Sequence, residues 1–143
     1  MKKEIDFLRL RKVFKEKKAG LEKRGEEVIP VVVQNVLTKE VLILAYANKE
    51  ALNYSLRHSI AAFWSTSRNE LWIKGLTSGS FLELVEVKIN CENNSLLYLV
   101  KPLNGRGACH NKEDDGSYRK SCFYRAVVLK NGEIFIEDGR RKK

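Results

Sequence analysis

Apolar residues in this chain arrive in short runs, rich in β-branched side chains and fenced by turn formers, and that rhythm commits most of the chain to sheet. Residues 28–36 open the series, with Pro30 marking an edge strand or a strand start. Thr38-Lys39 links them to 41–46, so the two runs read as a hairpin. Short strands at 61–65 and 71–74 flank a Ser67-Arg68-Asn69 turn. Residues 81–89 alternate, with Phe81, Val85, Val87 and Ile89 on one parity and Glu86 and Lys88 on the other. Asn93-Asn94 turns this strand into 96–100, fully apolar and expected at the centre of the sheet. Strands at 122–129 and 134–136 are joined by Lys130-Asn131-Gly132-Glu133, a strong hairpin signal.

Helix is confined to two places. Asn48 suits an N-cap for a helix running to about His58, with Leu52 and Leu56 one turn apart on its buried side. Residues 4–18 carry Ile5, Leu8, Val13 and Phe14 at a ragged helical spacing with a basic far side, which predicts a peripheral helix. Residues 103–120 form a long polar loop with Gly105, Gly107 and Gly116, and loops of that length are usually functional or disordered. The expectation is an α+β fold: a β-dominated single domain with one interior helix and a peripheral N-terminal helix. It divides into a basic extension at 1–24, the domain proper at 25–139 and a basic tail at 140–143.

The formal charge of +9 invites a nucleic-acid reading until it is located. Residues 1–24 contribute +6 and residues 140–143 contribute +4, so the body between them carries −1. Basicity at the ends differs from a basic face tracking a phosphate backbone, and a solvated helix and tail account for it. No run approaches the roughly 18 apolar residues of a membrane span, and no apolar stretch follows the N-terminal charges as in a signal peptide. With an odd count of three cysteines, this points to a reducing cytoplasm and away from a disulfide framework.

Those cysteines carry the chemistry. Cys91, Cys109 and Cys122 each stand where an apolar run meets a polar loop, and His110 adjoins the second. Three thiolates leave one position of a tetrahedral Zn2+ open, as in a catalytic site, and a zinc-bound water ionises near pH 7. Spacing alone leaves three unrelated buried thiols as the open alternative, because no C-x2-C pair is present. His110 could shuttle protons beside such a metal or be a surface loop histidine; His58 suits the end of its helix. Ser65-Thr66-Ser67-Arg68 and the run from Trp72 through Lys74, Thr77 and Ser78 to Gly79 offer hydroxyls, glycines and two cations to a phosphorylated ligand. Asn90, Glu92 and Asn94 alternate about Cys91 and could face one way, as oxygen ligands of a hard cation such as Mg2+ do, with one formal charge among the three.

At these residues the chain resembles the phosphoribosyl-AMP cyclohydrolase family of histidine biosynthesis. The likeness runs from about Val28 to Arg125. It is carried by Val41-Leu42-Ile43-Leu44-Ala45-Tyr46-Ala47-Asn48, Phe63-Trp64-Ser65-Thr66-Ser67-Arg68, Leu71-Trp72-Ile73-Lys74-Gly75-Leu76-Thr77-Ser78-Gly79, Ala108-Cys109-His110 and Ser121-Cys122-Phe123-Tyr124-Arg125. The resemblance implies a homodimer with zinc at the subunit interface, Cys91 coming from one chain and Cys109 and Cys122 from the other. It implies hydrolysis of the N1–C6 bond of the adenine ring in 1-(5-phosphoribosyl)-AMP, with His110 moving protons. Ser65, Ser67, Arg68, Trp72, Lys74, Thr77 and Ser78 are then expected at the phosphates and riboses.

The chain departs from the family pattern in three places. Asp-Cys-Asp-x-Asp, whose aspartates bind magnesium, is here Asn90-Cys91-Glu92-Asn93-Asn94. Trp-Arg-Lys-Gly-Glu-Thr-Ser-Gly has Ile73 and Leu76 in place of a cation and a carboxylate, and the loop between Cys109 and Cys122 is longer. Two further readings compete: a related zinc hydrolase acting on another purine-like ring, and a non-catalytic nucleic-acid-binding module with structural zinc.

Overall fold

The strands are β1 (Ile29–Asn35), β2 (Val41–Ala47), β3 (Ala62–Ser65), β4 (Glu70–Ile73), β5 (Leu82–Ile89), β6 (Leu96–Pro102), β7 (Arg125–Lys130) and β8 (Glu133–Asp138), with helix α1 (Lys49–His58) between β2 and β3. In this computed structural model the described residues are 27–76, 78–103, 107–109 and 111–138. The expected helix at 4–18, the extension 1–24 and the tail 140–143 lie outside them. Among the described residues the fold is β-dominated α+β, as the short apolar runs predict.

The main sheet has the order β2-β1-β6-β5. β1 pairs antiparallel with β2 and parallel with β6, so it is an interior strand. Pro30 faces Tyr46 of β2, one residue before the β6 ladder begins at Val31, and its missing N–H interrupts nothing on that side. It marks a strand start, one of the two expected alternatives. β6 sits between β1 and β5, and Tyr98 and Val100 are fully buried, as its unbroken apolar run requires. The β3–β4 hairpin is stitched to β5 by Ala61 N–H donating to the Leu82 carbonyl and Leu84 N–H to the Ser59 carbonyl, both at 2.9 Å.

Three expectations need correction. The alternation of 81–89 does not hold through the strand: the register shifts between Leu84 and Glu86. Leu82 and Leu84 face the core before this bulge and Val87 packs after it, leaving Val85 and Ile89 exposed. Helix α1 is capped by Asn48, whose side chain accepts from Ala51 N–H at 2.8 Å, yet it buries Ala51, Leu52 and Ser55 while Leu56 is 57% exposed. The turn of the helix is set by Ser55, whose hydroxyl accepts from Ala62 N–H at 2.9 Å, lies 2.9 Å from the Ala51 carbonyl and receives the Tyr98 hydroxyl at 3.4 Å. Burial pushes the Tyr98 phenol up to about 12. Finally, the strand expected from residue 122 starts at Arg125, because Ser121 and Cys122 are bonded to β2 instead.

Candidate functional site

β2 is an edge strand, and its spare carbonyls hold the segment that carries Cys122. The Ser121 hydroxyl donates to the Val41 carbonyl at 2.6 Å and accepts Phe123 N–H at 2.9 Å, while Cys122 N–H donates to the Leu42 carbonyl at 2.8 Å. Cys109 is brought alongside by backbone pairing: Cys109 N–H donates to the Arg119 carbonyl at 2.9 Å and Ala108 N–H to that of Lys120 at 3.3 Å. Gly107 makes this approach possible. A Cβ there would fall 2.1 Å from the Tyr118 oxygen and 2.3 Å from the Arg119 oxygen, inside any allowed contact. Arg119 itself is buried, stacked 4.0 Å over the Tyr124 ring and paired with Glu113 at 3.1 Å, so the long loop has a folded interior.

The two thiols are neighbours and share one charged neighbour, Lys74. Lys74 follows β4, donates its N–H to the Ala61 carbonyl at 3.2 Å and is only 5% exposed. Gly75 lets the chain turn away at once: its φ is +100° and a Cβ would lie 2.4 Å from Phe81 N. Burial raises the Cys122 thiol to about 11, the Cys109 hydrogen bond and charge adding to the rise and Lys74 opposing it. Burial lowers Lys74 from its ordinary value, and the charges of Cys122 and Cys109 oppose that change. Lys74 and the Cys122 thiol therefore each favour the ionised form of the other. Lys74, one of the residues expected at the phosphates and riboses, lies near the two thiols.

Cys91 is elsewhere. It is exposed in the turn after β5, while Cys122 rests against the outer edge of β2. These are diagonally opposite corners of the sheet, on the order of 20 Å apart at about 3.3 Å per residue and 4.8 Å per strand. Accordingly, no three metal-ligating side chains gather among the described residues. One chain brings two thiols together and holds the third away from them. His110 and Thr77 lie outside the described residues.

The expected ligand residues divide between the two ends of the β3–β4 hairpin. Ser65, Ser67 and Arg68 are at its tip, where the Ser65 and Ser67 hydroxyls are 3.3 Å apart and Arg68 N–H donates to Ser65 Oγ at 3.3 Å. The Arg68 guanidinium is exposed, 3.9 Å from Glu70. Trp72 packs its ring 5.4 Å from that of Phe63 and remains partly exposed. Ser78 is at the other end with Lys74, its hydroxyl accepting Ser80 N–H at 3.2 Å. A cleft of about 370 Å3 opens beside Leu42, lined by Asn35, Thr38, Lys101, Gly107 and Lys120 among others. Sequence reading missed that cleft and the Arg119–Tyr124 stack. Gly107 in a loop was the one available hint.

Asn90, Glu92 and Asn94 do share the turn around Cys91. Two of the three spend their side chains on the turn itself: Asn90 Oδ1 accepts from Asn94 N–H at 2.9 Å and Ser95 N–H at 3.0 Å, and Asn90 Nδ2 donates to Asn94 Oδ1 at 2.7 Å.

Comparison with known proteins places this geometry in a wider set. Residues 43–124 match the sequence model of a family described as phosphoribosyl-AMP cyclohydrolase. A phosphoribosyl-AMP cyclohydrolase of Archaeoglobus fulgidus is 49% identical over 100 residues, covering 70% of this chain and 85% of that protein. One of Chloroherpeton thalassium is 44% identical over 111 residues, covering 78% and 74%. The histidine biosynthesis bifunctional protein HisIE of Pasteurella multocida is 42% identical over 99 residues, covering 69% of this chain and 45% of that longer protein.

Proposed function

The chain belongs to the phosphoribosyl-AMP cyclohydrolase family, and from that premise we propose that it opens the adenine ring of 1-(5-phosphoribosyl)-AMP by zinc-assisted hydrolysis, as a cytoplasmic homodimer in histidine biosynthesis. Residues 25–139 carry this activity, with basic extensions at 1–24 and 140–143. The observation that supports it best is the pairing of buried Cys109 with half-buried Cys122 beside Lys74, with Cys91 exposed at the far corner of the sheet. Two adjacent thiols suit a soft metal such as zinc, and the missing third has to come from a second copy. Cys109 and Cys122 of one chain and Cys91 of its partner would then hold the ion. When bound, zinc supplies a water acidic enough to ionise near neutral pH.

In the reaction a water oxygen bonds to C6 and the N1–C6 bond breaks; one of the water's protons goes to N1 and the other to the exocyclic 6-imino nitrogen, which becomes the carboxamide NH2. His110, next to Cys109 in sequence, carries the proton to N1. Lys74 offsets the negative charge that three thiolates leave around a divalent ion. Arg68, Ser65 and Ser67 at one end of the β3–β4 hairpin, Trp72 along it and Thr77 and Ser78 at the other end contact the riboses and phosphates.

The dimer has its own support. Among the described residues β7 and β8 make no substantial contact with another strand or the helix, and Val127, Leu129, Ile134 and Ile136 share one hairpin face at 72%, 72%, 75% and 63% exposure. A lone two-stranded ribbon is marginal in water, and an apolar patch of this kind marks an interface. Incubating zinc-loaded protein with phosphoribosyl-AMP and following the ring-opened carboxamide product tests the proposal. No turnover with zinc bound would overturn it, and turnover of a different purine-like ring instead would favour the related hydrolase.

A further inference from the structure

The turn that presents Cys91 is where the family pattern implies magnesium, and the residues here do not fit that ion. β5 ends at Ile89 and β6 begins at Leu96; between them Asn90 N–H donates to the Ser95 carbonyl at 3.1 Å and Asn93 N–H to the Asn90 carbonyl at 3.0 Å. Asn93 takes a φ of +59°, a conformation asparagine tolerates. The two backbone donors on Asn90 Oδ1 fix which end of the amide is oxygen, so the atom 2.7 Å from Asn94 Oδ1 is a nitrogen bearing hydrogens. The line between side chains 90 and 94 therefore carries an N–H donor and its partial positive charge. A hard cation needs oxygens there.

The comparison with two aspartates is physical. Carboxylate oxygens 2.7 Å apart repel, and such a pair stays together only with a proton or a cation between them. An amide pair at the same spacing closes by its own hydrogen bond and needs neither. Glu92 supplies one formal charge, and a single carboxylate ordinarily holds magnesium only together with a substrate's phosphates.

We propose that the Asn90–Asn94 hydrogen-bond clamp takes the place of a divalent cation in shaping the Cys91 turn, so that this chain binds no magnesium there and presents Cys91 without it. The inference rests on the proposed zinc reading only for what Cys91 does. It follows that the zinc affinity set by Cys91 is indifferent to magnesium.

Calorimetric titration of the zinc-loaded full chain with magnesium chloride, without nucleotide, is the test, together with thermal unfolding in the same solutions. No saturable heat and no shift in Tm are expected for the wild type. Asn90→Asp with Asn94→Asp should gain both. Asn90→Ala should lower Tm and release zinc to a chelator severalfold faster, and magnesium should restore neither. Saturable magnesium binding to the wild type that Asn90→Ala removes, magnesium rescue of Asn90→Ala, or a double aspartate variant that still ignores magnesium would each overturn the proposal. Failure of the ring-opening reading would show in turnover and leave these measurements readable.

Discussion

At Gly107 a single missing methyl group decides whether two thiols meet. The Tyr118 and Arg119 carbonyls lie within 2.3 Å of where a Cβ would stand, and both belong to backbone that cannot step aside without breaking the pairing that positions Cys109. Gly107→Ala is therefore expected to cost about 1–3 kcal/mol, as overpacking does, and to lower zinc content; urea melts and elemental analysis of the purified variant check this. Lys74 governs the same site through charge. Lys74→Met keeps the buried stem and removes the ammonium, so zinc should be held about 10- to 100-fold more weakly, with Lys74→Arg closer to wild type, in competition with a chelator. Cys122 sets a pH dependence. Its thiol is raised from 9.0 to about 11 by burial, so the folded metal-free state favours the protonated form. That contribution to stability is complete below pH 9 and disappears as pH climbs towards 11. Denaturant midpoints across this range should fall in the wild type and fall less in Cys122→Ser.

Among the elements, the β7–β8 hairpin makes the sharpest prediction. Asn131 and Gly132 both take positive φ, so the turn is the tight one that its sequence demands. Its exposed aliphatic face has nothing to pack against among the described residues, and burying each such side chain is worth roughly 1.5–3 kcal/mol. Val127→Glu with Ile136→Lys places charges in register on that face and should convert the proposed dimer to monomer in sedimentation experiments, with zinc bound at the proposed shared site lost in parallel. The hairpin was legible because turn chemistry and period are local. The bulge at Val85 was not, since residues 85–89 alternate cleanly and only the pairing with β6 reveals the slip. Leu56 was misplaced for a related reason: its helix is oriented by Ser55, whose partners Ala62 and Tyr98 come from other elements. The parallel pairing of β1 with β6 likewise has no local signature. For the site, residue types and their loops could be read from the sequence, whereas the contact of Lys74 with the two thiols is tertiary and could not.

For the whole molecule, the proposed function makes the functional unit larger than one chain. The net positive charge lies at the two ends and the body between them is near neutral, so self-association through the body meets little electrostatic opposition. Each chain contributes an adjacent pair, Cys109 and Cys122, and a distant single, Cys91. A two-fold pairing that brings the single of one copy to the pair of the other makes two equal sites, and a subunit-mixing experiment can separate this from any site built within one chain. Cys91→Ala spoils both sites of its own dimer, and so does Cys122→Ala. In a mixed dimer the Cys122→Ala chain still offers Cys91 and the Cys91→Ala chain still offers Cys109 and Cys122, so one site is whole and the other lacks two ligands. Random reassortment puts half of all chains in mixed dimers, each with half of its sites intact, and ring-opening activity and bound zinc should both return to about a quarter of wild type. Mixing that restores neither, under conditions where subunit exchange is verified by mass, would place all three ligands in one chain or remove Cys91 from the site.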